Sequence, residues 1–229
     1  MDIESANWRK KMNTEQIIPL FPLGVVLLPD MLLTLHIFEE RYKEMIGRCL
    51  ETNRNFGIVY FVDGQIRRAG CSSQILKVTR RYENGEMDII TIGKQRFLIK
   101  EVYDTKAYLE ATVIYFDDEP EAESEDLSRL ANEGINSLEE LNRILGIKSD
   151  KNEKAHLNSK EMSFLISRNE GFTLSEKQKL LEMTSTKKRL KDSVRALQKV
   201  IQRARLTREI EGIIRGNGDL KKLLDKYGI

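Results

Sequence analysis

The residues best suited to metal binding or nucleophilic chemistry are few: His36 and His156, and Cys49 and Cys71. The histidines lie far apart in sequence, and neither belongs to an HExxH motif or a Cys/His cluster of zinc-ligand spacing, so structural or surface roles are expected for both. The cysteines form no CxxC pair and read as reduced thiols, with Cys71 buried in an apolar strand. Gly93-Lys94 resembles the end of a phosphate-binding loop. However, Asp88 stands where that loop needs its first glycine, and Gln95 replaces the Ser or Thr that would hold magnesium. No GxSxG elbow occurs. Asp117, Asp118, Glu119, Glu121, Glu123, Glu125 and Asp126 form an acidic run without the central glycine of a calcium loop, which reads as a solvated linker. These residues predict neither a catalytic residue, a metal nor a cofactor.

The elements that would position a binding site divide by period. From Ile17 to Phe116, β-branched and aromatic residues come in short runs broken by turn residues, as strands require. Ile75–Tyr82 and Met87–Ile92 flank Glu83-Asn84-Gly85-Glu86, and the Asn-Gly pair predicts a type I′ hairpin turn. Further strands are expected over Phe97–Tyr103 and Tyr108–Phe116, with Gly93 as a bend that curls the sheet. Pro19, Pro22 and Pro29 predict an irregular edge strand, because proline cannot donate to a ladder. Phe38, Tyr42, Met45, Ile46, Cys49 and Leu50 recur at helical spacing and predict one helix packed on the sheet.

After the acidic run the period becomes helical. Leu127, Leu130, Ala131, Leu138, Leu141 and Leu145 form one stripe ended by Gly146. A shorter helix is expected over Lys160–Ser167, with Met162, Phe164, Leu165 and Ile166 as core. Ser175-Glu-Lys-Gln178 reads as a capping box opening a third helix through Leu180, Leu181 and Met183. A long helix should then follow within Thr184–Arg215, with Leu190, Val194, Leu197, Ile201 and Ala204 as a seam packing within its own bundle. The expected architecture is α+β: a flexible segment over 1–16, a curled β domain over 17–118, an acidic linker over 119–126 and a helical domain over 127–229.

Bulk composition narrows the class. The chain of 229 residues is 40% hydrophobic and 32% charged, as in soluble globular proteins, and has no apolar run long enough to span a bilayer. Met1–Gln16 lacks the apolar core of a signal peptide, so the cytoplasm is the expected compartment. Charge is uneven: Lys187–Lys226 holds thirteen Lys or Arg against five Asp or Glu, a net of +8. Arg189, Arg195, Lys199, Arg203, Arg205, Arg208 and Arg215 could follow a phosphate backbone, with Arg195, Lys199 and Arg203 as the nucleic-acid contacts in that alternative.

One set of spaced blocks is more specific. Ile18-Pro-Leu-Phe-Pro-Leu-Gly24, Leu28-Pro29, Leu35-His-Ile-Phe-Glu-Glu-Arg-Tyr42, Phe56-Gly-Ile-Val59, Gly70-Cys71, Gly93-Lys-Gln-Arg-Phe97 and Tyr108–Val113 occur in that order. The chain resembles the amino-terminal, substrate-recognition domain of Lon-type ATP-dependent proteases. The resemblance extends more loosely through Met162–Leu165, Glu176–Leu181 and Arg189-Leu190; Glu39-Glu40 departs from the Glu-Pro often found there. It implies a PUA-like β module followed by helices, and a stand-alone module without the ATPase or the Ser-Lys peptidase. The implied ligands are unfolded or tagged polypeptides with exposed apolar segments, with an ATP-dependent protease or chaperone as partner. A peptide would meet an apolar groove or sheet edge, and Phe21, Leu28, Phe38, Arg41 and Tyr42 are the candidate contacts.

Overall fold

The β-rich and helical stretches of the sequence become six strands and five helices in a computed structural model that describes residues 15–122, 124–147 and 157–216. In chain order these are β1 (Glu15–Leu23), β2 (Leu32–Ile37), α1 (Glu40–Thr52), β3 (Phe56–Val62), β4 (Gln65–Arg81), β5 (Met87–Tyr103) and β6 (Glu110–Phe116). The helices α2 (Glu125–Leu145), α3 (Ser159–Ser167), α4 (Leu174–Glu182) and α5 (Thr186–Gly216) follow. The fold is α+β, as the sequence predicts. Positions 1–14 of the expected flexible segment and His156 lie outside the described residues, whereas Glu15 and Gln16 already belong to β1.

The sheet runs β2-β5-β4-β3-β1-β6, and β5 also pairs with β6. That extra pairing closes five strands into a barrel and leaves β2 outside it. Ile18, Leu20, Val59, Phe97, Ile99, Ala111 and Val113 pack together as the apolar core. The proline-rich segment is not an edge strand. Glu15–Pro19 pairs with β6, and Leu20–Leu23 pairs in parallel with β3. The Leu20 amide donates to the Leu109 carbonyl, toward β6, so by strand alternation Pro19 turns its nitrogen toward β3 and Pro22 toward β6. On those sides the ladder has not yet begun at Pro19 and has already ended at Pro22. Both missing donors therefore fall in gaps of the ladder, and the strand can be internal.

The hairpin joins β4 to β5, but its turn differs from the predicted type. Gly85 has φ +80°, whereas Asn84 stays on the negative side. The Gly85 amide donates to the Tyr82 carbonyl, and the Tyr82 amide donates to the Glu86 carbonyl. Three residues therefore form the loop, a β-turn followed by a left-handed glycine, instead of the two of a type I′ turn. Gly93 sits within continuous β5. A Cβ there would lie 2.1 Å from the Leu28 carbonyl oxygen, because the loop before β2 hydrogen-bonds across it through Asp30 and Met31.

Two compact units divide the chain. The sheet unit comprises residues within Met1–Glu121 and also Thr173–Ser185. In it, Gln178 of α4 donates to the Ala69 carbonyl on β4. Arg96, 2% exposed, donates to the carbonyls of Leu181 and Met183 and pairs with Asp118 at 2.5 Å, its guanidinium over the Phe116 ring. Asp118 is thus a buried partner, and the solvated character expected of the acidic run does not extend to it. The cap of α4 also moves from the predicted Ser175. Thr173 and Glu176 exchange the reciprocal bonds of a capping box, a start that places Lys177, Gln178, Leu180 and Leu181 on the buried face.

The other unit comprises residues within Ala122–Phe172 and Thr186–Ile229. Its α2 and α3 pack on α5, where the predicted seam of Leu190, Val194, Leu197 and Ile201 is buried. Gly146 ends α2 in the left-handed conformation as expected, although Leu145 is 54% exposed, outside the stripe to which the sequence assigns it. Arg189 is fully buried, bonded to Ser163 and Thr186 with its guanidinium over Phe164. That removes it from any surface track of phosphate-binding cations.

Candidate functional site

Outside the barrel, the first half of β5 has β2 on one side and the far part of β4 on the other, forming a three-stranded flap. Its rows run Leu32↔Ile92↔Gln74, Thr34↔Ile90↔Lys77 and His36↔Asp88↔Arg80. Cross-strand partners share a face, so these nine side chains line one surface. The opposite surface holds Ile37, Met87, Ile89 and Thr91, all buried. On the outer surface Leu32 is 61% exposed and Phe38, which continues the same alternation, is 58% exposed. Ile90 and Ile92 lie half-buried between them. At about 3.3 Å per residue, Leu32 and Phe38 stand roughly 20 Å apart.

The two margins of the flap differ in chemistry. Among the described residues, β2 pairs with β5 alone, and β4 from Gln74 onward likewise pairs only with β5. The β4 margin exposes Lys77, Arg80 and Arg81, charges that discourage strand pairing. The β2 margin, Leu32-Leu-Thr-Leu-His-Ile37, contains no proline and no Lys, Arg, Asp or Glu.

A polar cluster interrupts this surface between Ile90 and Phe38. His36 places Nδ1 2.7 Å from Asp88 and Nε2 3.4 Å from Glu86, and its ring stacks beside Phe38 and meets Tyr82 edge-on. Tyr82 donates its hydroxyl to Asp88. The hydrogen bonds from His36 and then Tyr82 hold the Asp88 carboxyl below the usual carboxylate range.

The five predicted peptide contacts separate into two groups. Phe21, Leu28 and Tyr42 are buried, with Phe21 and Tyr42 stacked at 4.0 Å between centroids. Phe38 and Arg41 reach the surface, although the helical stripe in the sequence assigns Phe38 to the core. The helix starts only at Glu40, so Phe38 lies before it and follows the alternation of β2. Arg41 pairs with Glu39 and lies over the Tyr42 ring at 4.6 Å. Leu32, Ile90 and Ile92 were not singled out in the sequence; the signal available there was an uncharged Leu32–Ile37 run next to an exposed turn. Both cysteines are buried, and burial pushes the Cys49 thiol up to about 11. Of the basic residues on α5, Arg195, Lys199 and Arg203 are exposed, whereas Arg205 pairs with Glu140 and Arg208 donates to the carbonyls of Arg143 and Ile144. No described helix is long and apolar enough to cross a membrane.

Comparison with known proteins agrees with this architecture. A Lon protease of Flavobacterium johnsoniae is 25% identical over 227 residues, a match covering 90% of this chain and 27% of that protein. The chain therefore spans about a quarter of that relative's length. The crystal structure of a Lon N-terminal domain protein from Xanthomonas campestris superposes with a TM-score of 0.60 at 21% identity, covering 77% of this chain and 95% of that one. The N-terminal domain of a Mycobacterium avium complex Lon protease superposes with a TM-score of 0.66 at 18% identity, covering 80% and 98%. The model of the ATP-dependent protease La (LON) substrate-binding domain matches residues 17–199, most of the barrel and helices just described, and the chain belongs to that family.

Proposed function

We propose that this chain is a noncatalytic module that recognises polypeptides through exposed apolar segments and presents or holds them, as an adaptor or holdase beside an ATP-dependent protease or chaperone. One observation carries the reading: Leu32, Ile92 and Ile90 form an apolar strip on the flap, with Phe38 exposed beyond the His36–Asp88 pair, and among the described residues the β2 margin beside them pairs with no second strand. Large apolar side chains grouped on a surface mark interaction sites more often than single ones do. Family membership supports polypeptide as the ligand class. Phe38 and Arg41 supply an anchor and a charged rim, while Phe21, stacked on Tyr42, fixes the start of α1 from beneath and Leu28 is buried against Gly93.

The test is suppression of aggregation of a chemically denatured client. The wild-type chain should suppress light scattering, and Leu32→Ser with Phe38→Ser should lose most of that effect while keeping the native circular dichroism spectrum. Equal suppression by the double variant would rule out this surface. Exposure of Arg195, Lys199 and Arg203 supports a second reading, contact with nucleic acid. Three phosphate contacts predict a log K against log salt slope of about −2 on a single strand, removed by substituting these cations.

A further inference from the structure

We infer that the flap takes its client as an added strand: an extended segment of about six residues pairs its backbone with the free margin of β2 and sets apolar side chains, two residues apart, beside Leu32, Thr34, His36 and Phe38. This rests on the polypeptide-recognition reading and adds the mode and the sequence period that the site selects.

Along β2, every second N–H and C=O points away from β5, and among the described residues no other strand receives them. Natural sheets shield such a margin with Lys, proline, a bulge or a cover, because it templates pairing with another chain. The β4 margin of the same flap has that protection in Lys77, Arg80 and Arg81, together with register shifts at Ile75/Lys77 and Val78/Arg80. β2 has none of these charges, no proline and an unbroken register from Leu32↔Ile92 to Ile37↔Met87. A neutral strand can pair there without desolvating a Lys, Arg, Asp or Glu side chain on Leu32–Ile37. Its outward side chains would extend the rows already set by Leu32/Ile92, Thr34/Ile90 and His36/Asp88, and strand geometry makes their spacing two residues.

Size decides between a short segment and a second copy of this chain. Six residues span about 20 Å, so pairing at this margin alone buries on the order of 500 Å² in total. Stable protein pairs need more than about 1,000 Å². The margin therefore suits reversible capture of a short extended segment.

The experiment uses the full chain and a fluorescent hexapeptide of alternating apolar and threonine residues, with two alternately N-methylated isomers. Each isomer blocks the donors along one edge of the peptide. The parent should bind, one isomer should lose at least about tenfold in affinity and the other should stay within about threefold. Hydrogen exchange should show alternate amides of Leu32–Ile37 protected on binding. Equal affinities for parent and both isomers, or protection elsewhere, would overturn strand addition. Capture of denatured client without binding of the hexapeptide would overturn it too and leave polypeptide recognition intact, whereas failure of both assays removes both readings. Concentration-dependent dimerisation that protects the same amides without peptide would assign the margin to a second copy instead.

Discussion

Arg96 shows how much of the sheet unit depends on one side chain. Its guanidinium satisfies two carbonyls of the segment after α4 and neutralises Asp118, whose side chain is 5% exposed. Removing one partner of a buried pair strands the other charge, so Arg96→Met should cost about 3–5 kcal/mol in urea unfolding. Adding Asp118→Leu should recover part of that loss. At the flap, the sign of the pH dependence follows from Asp88. Its folded carboxyl titrates below the ordinary value of 3.8, so its contribution to stability is complete above that value and disappears as pH falls through the depressed one. Asp88→Asn should flatten the dependence of the urea midpoint on pH below about pH 4. Of the individual side chains, burial of Tyr42 and Cys49 was legible from helical spacing. Phe38 and Arg189 were not: one lies just before the helix whose stripe it extends, and the other is a cation whose burial depends on Ser163 and Phe164, distant in sequence, converging on it beside Thr186 one turn away.

Strands and helices were legible where period and punctuation agree. The β4–β5 hairpin, α1, the Gly146 stop and the α5 seam all follow from local pattern. Leu197→Ala at the centre of that seam should cost about 2–5 kcal/mol, read from the thermal or urea midpoint. The α4 start was displaced because Thr173-x-x-Glu176 and Ser175-x-x-Gln178 both satisfy the capping pattern. Thr173→Ala should therefore destabilise by about 1 kcal/mol and Ser175→Ala by much less. Gly93 reads in sequence as a bend, yet the requirement comes from the Leu28 carbonyl against it. Gly93→Ala should thus displace the loop before β2, with faster hydrogen exchange at Asp30 and a cost of about 1–3 kcal/mol.

At the scale of the whole chain, order in sequence and membership of a compact unit part company. Thr173–Ser185 lies between helices yet belongs to the sheet unit, where it supplies acceptors to Arg96 and a donor to Ala69. A fragment ending at Glu121 should accordingly be less stable than the same unit within the full chain, and a synthetic Thr173–Ser185 peptide added in trans should raise its melting temperature. Failure of that peptide to bind the fragment would show that these contacts contribute little. Composition, period and the spaced motifs of Ile18–Val113 alone determined the α+β class, the change from strands to helices, the absence of recognisable catalytic motifs and the resemblance to the Lon substrate-binding family. Tertiary structure alone decided that β1 is internal, that β2 pairs with β5 alone among the described residues, that Arg96 and Arg189 are buried and that Leu32 and Phe38 share an exposed surface. The physical reason is that periodicity reports which residues can share a face, whereas closure of β5 on β6 and the hydrogen-bond partners of each strand arise between residues distant in sequence.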